Sequence, residues 1–419
     1  MKSQQVLFIG LVWPESKSSA AGWRIIQLIE WFTAHHFSVT FACAAAKTDF
    51  SDTLEEYGIE CKPILLNDSS FDTWITSLQP DIVVYDRYVI EEQYGWRVQK
   101  YCPKAMTILD TEDLHTLRYA RKQAIKKEQE FTTEQLYSDT ALREIASILR
   151  CDLSLIISEI EMDFLQSQFK IDADLLFYLP FLENYIPVEK NHSWIPFENR
   201  TDFIFMGNFL HQPNVDTVMT LKKHIWPTLK NQQPLASLHI YGAYISQQIA
   251  QLHQSKDRFY IMGRAENARE TFSRYKVLLA PITFGAGIKG KFIDAMQSGT
   301  PSITTSIGAE GMCEDSNWCG SITNNWSEFI KQASTIYSNK NRWLAAQENG
   351  RQIINSKFDK TLYQISFLKA INTILHQLDS HRNKNFVGKI LRHHSLQSTK
   401  YMSLWIEEKN KNQLQKKRP

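Results

Sequence analysis

The chain has 419 residues, 43% of them hydrophobic, with 47 Lys and Arg against 45 Asp and Glu. That length exceeds what one core serves well and points to two domains, while the near-neutral balance argues against a nucleic-acid-binding polycation. No window is apolar for the roughly 18 residues that a spanning helix needs.

Short apolar runs alternate with helical patterns along most of the chain, the signature of a doubly wound α/β protein. The first run, Val6–Val12, lacks a small-residue cleavage pattern and reads as a buried strand, not a signal peptide. The turn after it, Trp13 to Arg24, holds Ser18, Ser19, Ala20, Ala21 and Gly22. Its hydroxyls can cap the next helix, and its small residues let a substrate approach the backbone. Helix Gly22–His35 follows. Further strands are expected at Val39–Cys43, Pro63–Leu66, Ile82–Tyr85 and Met106–Leu109, with a helix at Glu91–Tyr101.

After Leu109, the residues Asp110, Glu112, Asp113 and His115 crowd one strand-to-helix turn. Asp113 can cap the helix and Asp110 can shape the turn, but such a density of ionisable groups favours an acid–base or acceptor-hydroxyl site. Leu114–Leu149 reads as two helices, and Leu153–Ile157 and Leu176–Leu179 as strands. Pro187, Asn191, Pro196 and Asn199 mark a linker. The division expected is 1–185, a linker 186–200, 201–356, a returning helix 357–380 and a basic tail 381–419.

A second series opens with strands Phe203–Met206, Leu238–Tyr241, Phe259–Met262, Val277–Pro281 and Ser302–Thr304, separated by helices Asn214–Lys230, Glu266–Tyr275 and Lys289–Ser298. Helices near Trp326–Tyr337, Lys340–Asn355 and Lys360–Leu378 close it. Gly207 and Asn208 follow its first strand, with Asn214 or Asp216 expected to start the helix. Arg264 ends another strand and is placed to pair with a diphosphate. The sharpest feature is the turn Gly285-Ala286-Gly287-Ile288-Lys289-Gly290-Lys291, with Asp294 one helical turn on. Bare backbone N–H groups at a helix N-terminus favour an anion, lysine adds a mobile charge, and Asp294 can accept from sugar hydroxyls. Phosphate and sugar on one molecule mean a nucleotide or a nucleotide-sugar.

These residues resemble the GT-B glycosyltransferases of the family 4, or group 1, type, most strongly over 202–312. The resemblance rests on Phe-Met-Gly-Asn, His-Gln-Pro-Asn-Val-Asp, Gly263-Arg264 and the Gly-Ala-Gly-Ile-Lys-Gly-Lys…Asp-Ala-Met…Ser-Gly-Thr-Pro block. It implies two Rossmann-like domains across a cleft, with the last helix crossing back. The second domain would bind a nucleotide-diphosphate sugar through Gly207, Asn208, Arg264, the Gly285–Lys289 turn and Asp294. The first would bind the acceptor along Ala21, Gly22 and Asp110, and Asp113, His115 and Lys289 would serve the chemistry. The family commonly brackets the glycine turn with two glutamates; here Asp294 holds the second position and Ala286 the first. Asn208 stands where an arginine is usual.

The expectation is a cytoplasmic, metal-independent hexosyltransferase with no cofactor beyond its nucleotide-sugar, acting with retention on a saccharide or lipid-linked saccharide in surface polysaccharide or lipopolysaccharide synthesis. A non-catalytic GT-B module that binds a nucleotide-sugar or a glycan, and a GT-B nucleotide-sugar epimerase, stay open as alternatives. Six cysteines without a CxxC pair fit reduced thiols. From Ser380 on, ten Lys and Arg stand against Glu407 and Glu408, leaving the remainder of the chain acidic. Phe386, Val387, Ile390 and Leu391 beside Lys384, Lys389 and Arg392 form either a short membrane-contacting element or, by the preferred reading, a terminal helix packed on the first domain.

Overall fold

The computed structural model describes residues 3–313 and 318–416. Seven parallel strands form the first sheet: β1 Gln5–Gly10, β2 Ser38–Cys43, β3 Glu60–Pro63, β4 Ile82–Asp86, β5 Met106–Asp110, β6 Leu153–Ile156 and β7 Leu176–Tyr178. Their order is β3-β2-β1-β4-β5-β6-β7. Six more, β8 Thr201–Met206, β9 Leu238–Tyr241, β10 Phe259–Gly263, β11 Tyr275–Ala280, β12 Ser302–Thr304 and β13 Gly320–Ile322, form a second parallel sheet in the order β10-β9-β8-β11-β12-β13. Mixed α/β layering with two such sheets is the pair of doubly wound domains expected from the pattern, and fits the GT-B architecture the resemblance implies.

Continuous apolar runs make these strands because both sheet faces are covered. Val6 and Phe8 of β1 enter the layer that holds helix Ala20–Ala34, while Leu7 and Ile9 enter the opposite one. Strand β3 precedes its expected place, since Thr40 to Cys43 pair with Glu60 to Pro63 and the chain turns away after Pro63. Strand β13, too short to signal itself, was not anticipated. Helix Glu266–Tyr275 is corrected to Ala268–Ser273, because Asn267 caps it and Tyr275 already pairs in β11. The expected Asn214–Lys230 helix begins instead at Gln212, after His211, and runs with a π-turn at Leu221–Ile225 into Trp226–Gln232.

The chain passes between the halves twice, and the two passages hydrogen-bond to each other. Glu183 N–H donates to the Phe358 carbonyl at 2.7 Å, and Lys360 N–H to the Glu183 carbonyl at 2.8 Å. Helix Gln364–His376 then returns to the first half, burying Phe367, Ile371 and Ile374 against its core. Two further helices follow, Leu378–Lys384 and the 31-residue Phe386–Lys416. Lys417 and Arg418 of the expected basic tail lie outside the described residues.

Candidate active site

In each sheet the strand order reverses next to its first strand, and the loops leaving the carboxyl ends there are where ligands of such sheets bind. The loops after β1, β4, β5, β8, β10 and β11 meet in one cleft of about 770 Å³ shared by both halves.

On the second half, the glycine turn leads β11 into helix Gly290–Gln297. Gly285 and Gly287 have φ of 152° and 61°, values that side chains resist, so glycine is required at both. Gly290 has another role: a Cβ there would come within 2.7 Å of the Ala20 Cβ. Its bareness lets the N-terminus of this helix meet that of Ala20–Ala34, and both helix dipoles aim their positive ends at the cleft. Lys289 bonds the Gly287 carbonyl at 2.8 Å and Lys291 the Asn214 amide oxygen at 2.6 Å. Burial pushes Lys289 down to about 8; burial and the repulsion of Lys289 push Lys291 down to about 7. An anion between these ammoniums would favour both charged forms.

Gly285, Ala286, Ile288, Lys289 and Asp294 line the cleft. Gly287 does not, which corrects its assignment: its N–H donates to Glu161 at 2.8 Å, and its Cα packs on Asp113 of the first half. Asp294 accepts from Arg269 at 2.9 Å, and Arg269 also grips Glu183. Burial raises the Asp294 pKa in spite of Arg269. Ala286, where the family places a carboxylate, packs against the apolar core of the first half. Gly207 and Asn208 also line the cleft; the Asn208 amide reaches the Ser18 carbonyl at 3.4 Å. Arg264 crosses to the Ser18 hydroxyl at 2.9 Å and stacks over Phe50.

In the loop after β1, Ser19 caps helix Ala20–Ala34 by accepting from Gly22 N–H at 3.0 Å. Ala21 lines the cleft, but Gly22 does not: a Cβ on it would strike the Glu15 backbone at 2.6 Å. Gly22 folds the loop and is withdrawn from the ligand-facing set.

The acidic turn sorts its groups by partner. Asp110 is fully buried and takes the Arg24 guanidinium at 2.8 Å, so it braces the sheet edge and does not face a ligand. Asp113 does not cap the helix His115–Lys126. Glu144, from helix Asp139–Arg150, accepts from His115 and Thr116 N–H at 2.9 and 2.8 Å instead. Asp113 faces the cleft, where Arg118 at 2.7 Å holds its pKa low despite burial. His115 also lines the cleft, 3.5 Å from Asp113. Burial, reinforced by Arg118 and Arg87, pushes it down to about 4, so the ring is neutral at physiological pH. His211, reaching in from the second half, is likewise pushed down to about 4.

Arg87 and Glu112, both on the cleft wall, have φ of 72° and 62°. Non-glycine residues held there store strain, of order 1–3 kcal/mol each, and gather at functional sites. Glu112 Oε1 is buried with no hydrogen-bond partner, and burial with the neighbouring Asp110 raises its pKa well above the usual carboxylate range.

Sequence reading missed Arg87, Glu161, Arg121 and Arg269. Arg87 follows a strand end, the one position where it could have been noticed. Glu161 joins the two turns, accepting from Leu114 and Gly287 N–H at 2.9 and 2.8 Å. Arg121 donates to the Gly285 carbonyl at 2.8 Å and forks onto Glu310. Nothing local in a helical sequence marks such long-range contacts.

Residues 200–339 match the family model for group 1 glycosyl transferases. No curated protein matches the chain in sequence. Among solved structures it is similar to sucrose-phosphate synthase from Thermosynechococcus elongatus, with a TM-score of 0.65 and 15% identity over 89% of this chain and 99% of that one. It is similar to Anabaena HepE in complex with UDP and glucose at a TM-score of 0.64 and 13% identity, covering 88% and 99%. WaaG, a glycosyltransferase involved in lipopolysaccharide biosynthesis, matches at 0.57 and 13%, covering 86% and 98%. Residues 200–339 of the second half therefore match a group 1 glycosyl transferase domain, and the chain as a whole has the GT-B fold.

Proposed function

We propose that this protein is a glycosyltransferase that moves a hexose from a nucleotide-diphosphate donor to a saccharide or lipid-linked saccharide. The observation that carries the reading is the glycine turn: two helix N-termini and the side chains of Lys289, Lys291 and Arg264 converge on one face of the cleft. In such a transfer the bond from the anomeric carbon to the diphosphate breaks, and negative charge grows on the departing phosphate oxygens. Preorganised cations and backbone donors meet that charge without reorganisation, which is how most catalytic stabilisation is delivered. Asp294 is placed to accept from ribose hydroxyls. Neutral His115, beside Asp113, is suited to hydrogen-bond the transferred sugar or the acceptor and not to act as a general acid.

HepE was solved with UDP and glucose, and WaaG works in lipopolysaccharide synthesis; both lend weight to a uridine nucleotide-sugar and a surface-glycan acceptor here. Retention at the anomeric carbon, a cytoplasmic site of action and peripheral contact with the membrane belong to the same reading. The test is a melting-temperature screen over nucleotide-sugars followed by incubation. A donor at 100 times its Kd stabilises by roughly 2.7 kcal/mol. Slow hydrolysis of the stabilising donor supports a transferase, isomerisation would make the protein an epimerase, and binding without turnover a carbohydrate-binding module. If no nucleotide-sugar shifts the melting temperature, the proposal fails.

A further inference from the structure

The terminal helix Phe386–Lys416 turns several polar groups toward the protein and leaves much of its apolar surface to solvent, although Leu391 and Ile406 are partly buried. At 1.5 Å per residue it is about 46 Å long. Its inner face is held by hydrogen bonds and ion pairs. Gly388 lies so close to the Leu149 carbonyl that a Cβ would sit 2.1 Å from the oxygen. Arg392 reaches the Arg150 carbonyl and, together with Arg382, the buried Asp152 carboxylate, which these two guanidiniums hold down to about 2 despite its burial. Buried Ser403 and Glu407 meet Arg97, and Glu407 also takes the Ser69 hydroxyl at 2.7 Å.

With 3.6 residues per turn, Phe386, Ile390, Tyr401 and Leu404 fall within an arc of about 60°, and Val387 and Trp405 lie beside it. All six are exposed, Phe386 and Tyr401 by more than 60%. They form two exposed groups, 386–390 and 401–405, with polar His393 and Gln397 exposed between them. Single exposed apolar residues need no explanation, but two such groups with three aromatic side chains on one helix mark an interaction surface. Its flanks are basic: Lys389 is exposed, Lys400 lies over Tyr401, and Lys409 lies over Trp405. Arg392 and, from the preceding helix, Arg382 are used internally, so the outward charge is mainly that of the lysines, with one exposed carboxylate, Glu408, on the same side.

We infer that this outward face docks on an anionic lipid bilayer. Apolar and aromatic residues flanked by lysines match the interface between acyl chains and anionic headgroups, where Trp and Tyr keep a polar edge wet. Among the described residues no helix is long and apolar enough to cross a membrane, so the helix lies on the surface. The topology makes the placement useful. The helix starts near Asp152, at the amino edge of the first sheet, and reaches Ser69 after β3, at the carboxyl edge where the cleft opens. A bilayer on this face lies alongside the first half, the half assigned to the acceptor. The inference rests on the transferase reading only for that last point; docking itself needs no donor.

The test is sedimentation of the full chain with vesicles of phosphatidylcholine alone or with 30% phosphatidylglycerol, without nucleotide-sugar. We expect pelleting with the anionic vesicles, little with the neutral ones, and release in 0.5 M NaCl. The triple substitution Phe386→Ser, Ile390→Ser, Trp405→Ser should reduce anionic pelleting at least tenfold with an unchanged melting temperature, since all three side chains point outward. Lys389→Glu with Lys409→Glu should do the same. Negligible pelleting of the wild type with both vesicles overturns the inference, as does pelleting that survives both variants. Self-association of the wild type that the triple substitution abolishes, with no vesicle binding, assigns the face to a second copy and overturns it equally. Because the vesicle assay contains no donor, its failure leaves the transferase reading standing, and failure of the donor screen leaves docking standing.

Discussion

The glycine turn at 285–291 and the acidic turn at 110–118 both carry a strand's carboxyl end into a helix at the same cleft, yet they work by opposite means. The glycine turn acts through its backbone: positive φ values, a helix N-terminus at the cleft and the close approach of Gly290 to Ala20. The acidic turn acts through side chains, and its four ionisable groups have four fates. Asp110 is buried on Arg24, Glu112 faces the cleft without a partner on Oε1, Asp113 is paired with Arg118, and His115 is held neutral. Backbone geometry is a local property, so the first turn announces itself. Partner choice is not, so the second does not.

Substitutions within the acidic turn test this contrast most severely. Asp110→Ala leaves the Arg24 guanidinium buried without its counter-charge and should cost about 3–5 kcal/mol in urea unfolding. Asp113→Asn, on the partly exposed pair with Arg118, should cost about 1 kcal/mol or less. Equal losses would erase the division between a bracing and a ligand-facing carboxylate.

On the glycine turn, Lys289→Ala should weaken binding of whichever of UDP, GDP or ADP the wild type takes by roughly 1.5–3 kcal/mol, the worth of a charge-assisted contact. Calorimetry giving an unchanged Kd would remove Lys289 from the anion site. The same affinity should depend on pH. A nucleoside diphosphate binds the protonated lysines, and the free ammoniums titrate near 7 and 8, so affinity is highest below pH 7 and falls as pH rises through 7 to 9. Each proton that binding must recover costs up to about 1.4 kcal/mol per pH unit. Lys291→Met should abolish the lower step; a flat profile from pH 6 to 9 in the wild type would contradict the assignment.

Smaller effects separate the remaining side chains. His115→Ala should lower turnover about tenfold, the scale of one lost hydrogen bond of about 1–1.5 kcal/mol, with unchanged stability. Because its ring titrates near 4, the wild-type rate should show no inflection from this residue around pH 6.5. An inflection there that disappears in the variant would restore a general-acid role. Asp294→Asn keeps an acceptor oxygen and should weaken the donor by only about 0.5–1.5 kcal/mol; a stability loss without any affinity loss would make Asp294 a mere brace for Arg269.

Much of the architecture was readable because its signals are short-range. Buried parallel strands are continuous apolar runs, and Val6, Val39, Ile82, Phe203 and Val277 each fall within such a strand. The glycine turn and the Ser19 cap followed from residue types that few other conformations want. Strand β13, with three residues, had too little sequence to declare itself, and β3 was misplaced because its limits are set by pairing with β2.

The sequence alone determined where the backbone turns and caps, since glycine, proline and small polar residues constrain φ and capping within a few positions; which of those turns face the cleft it left open, as Gly22 and Gly287 show. Tertiary structure alone decided which charges are available at the cleft. The groups that claim Asp110, His115 N–H and Gly287 N–H lie 86, 29 and 126 positions away, at Arg24, Glu144 and Glu161. It also decided that the basic tail packs on the first half through polar groups, Arg382 and Arg392 on Asp152 and Glu407 near Arg97, with Phe386, Ile390, Tyr401 and Trp405 left outward. A charge buried in a protein must find its counter-charge wherever the fold brings one, and sequence distance carries no information about that.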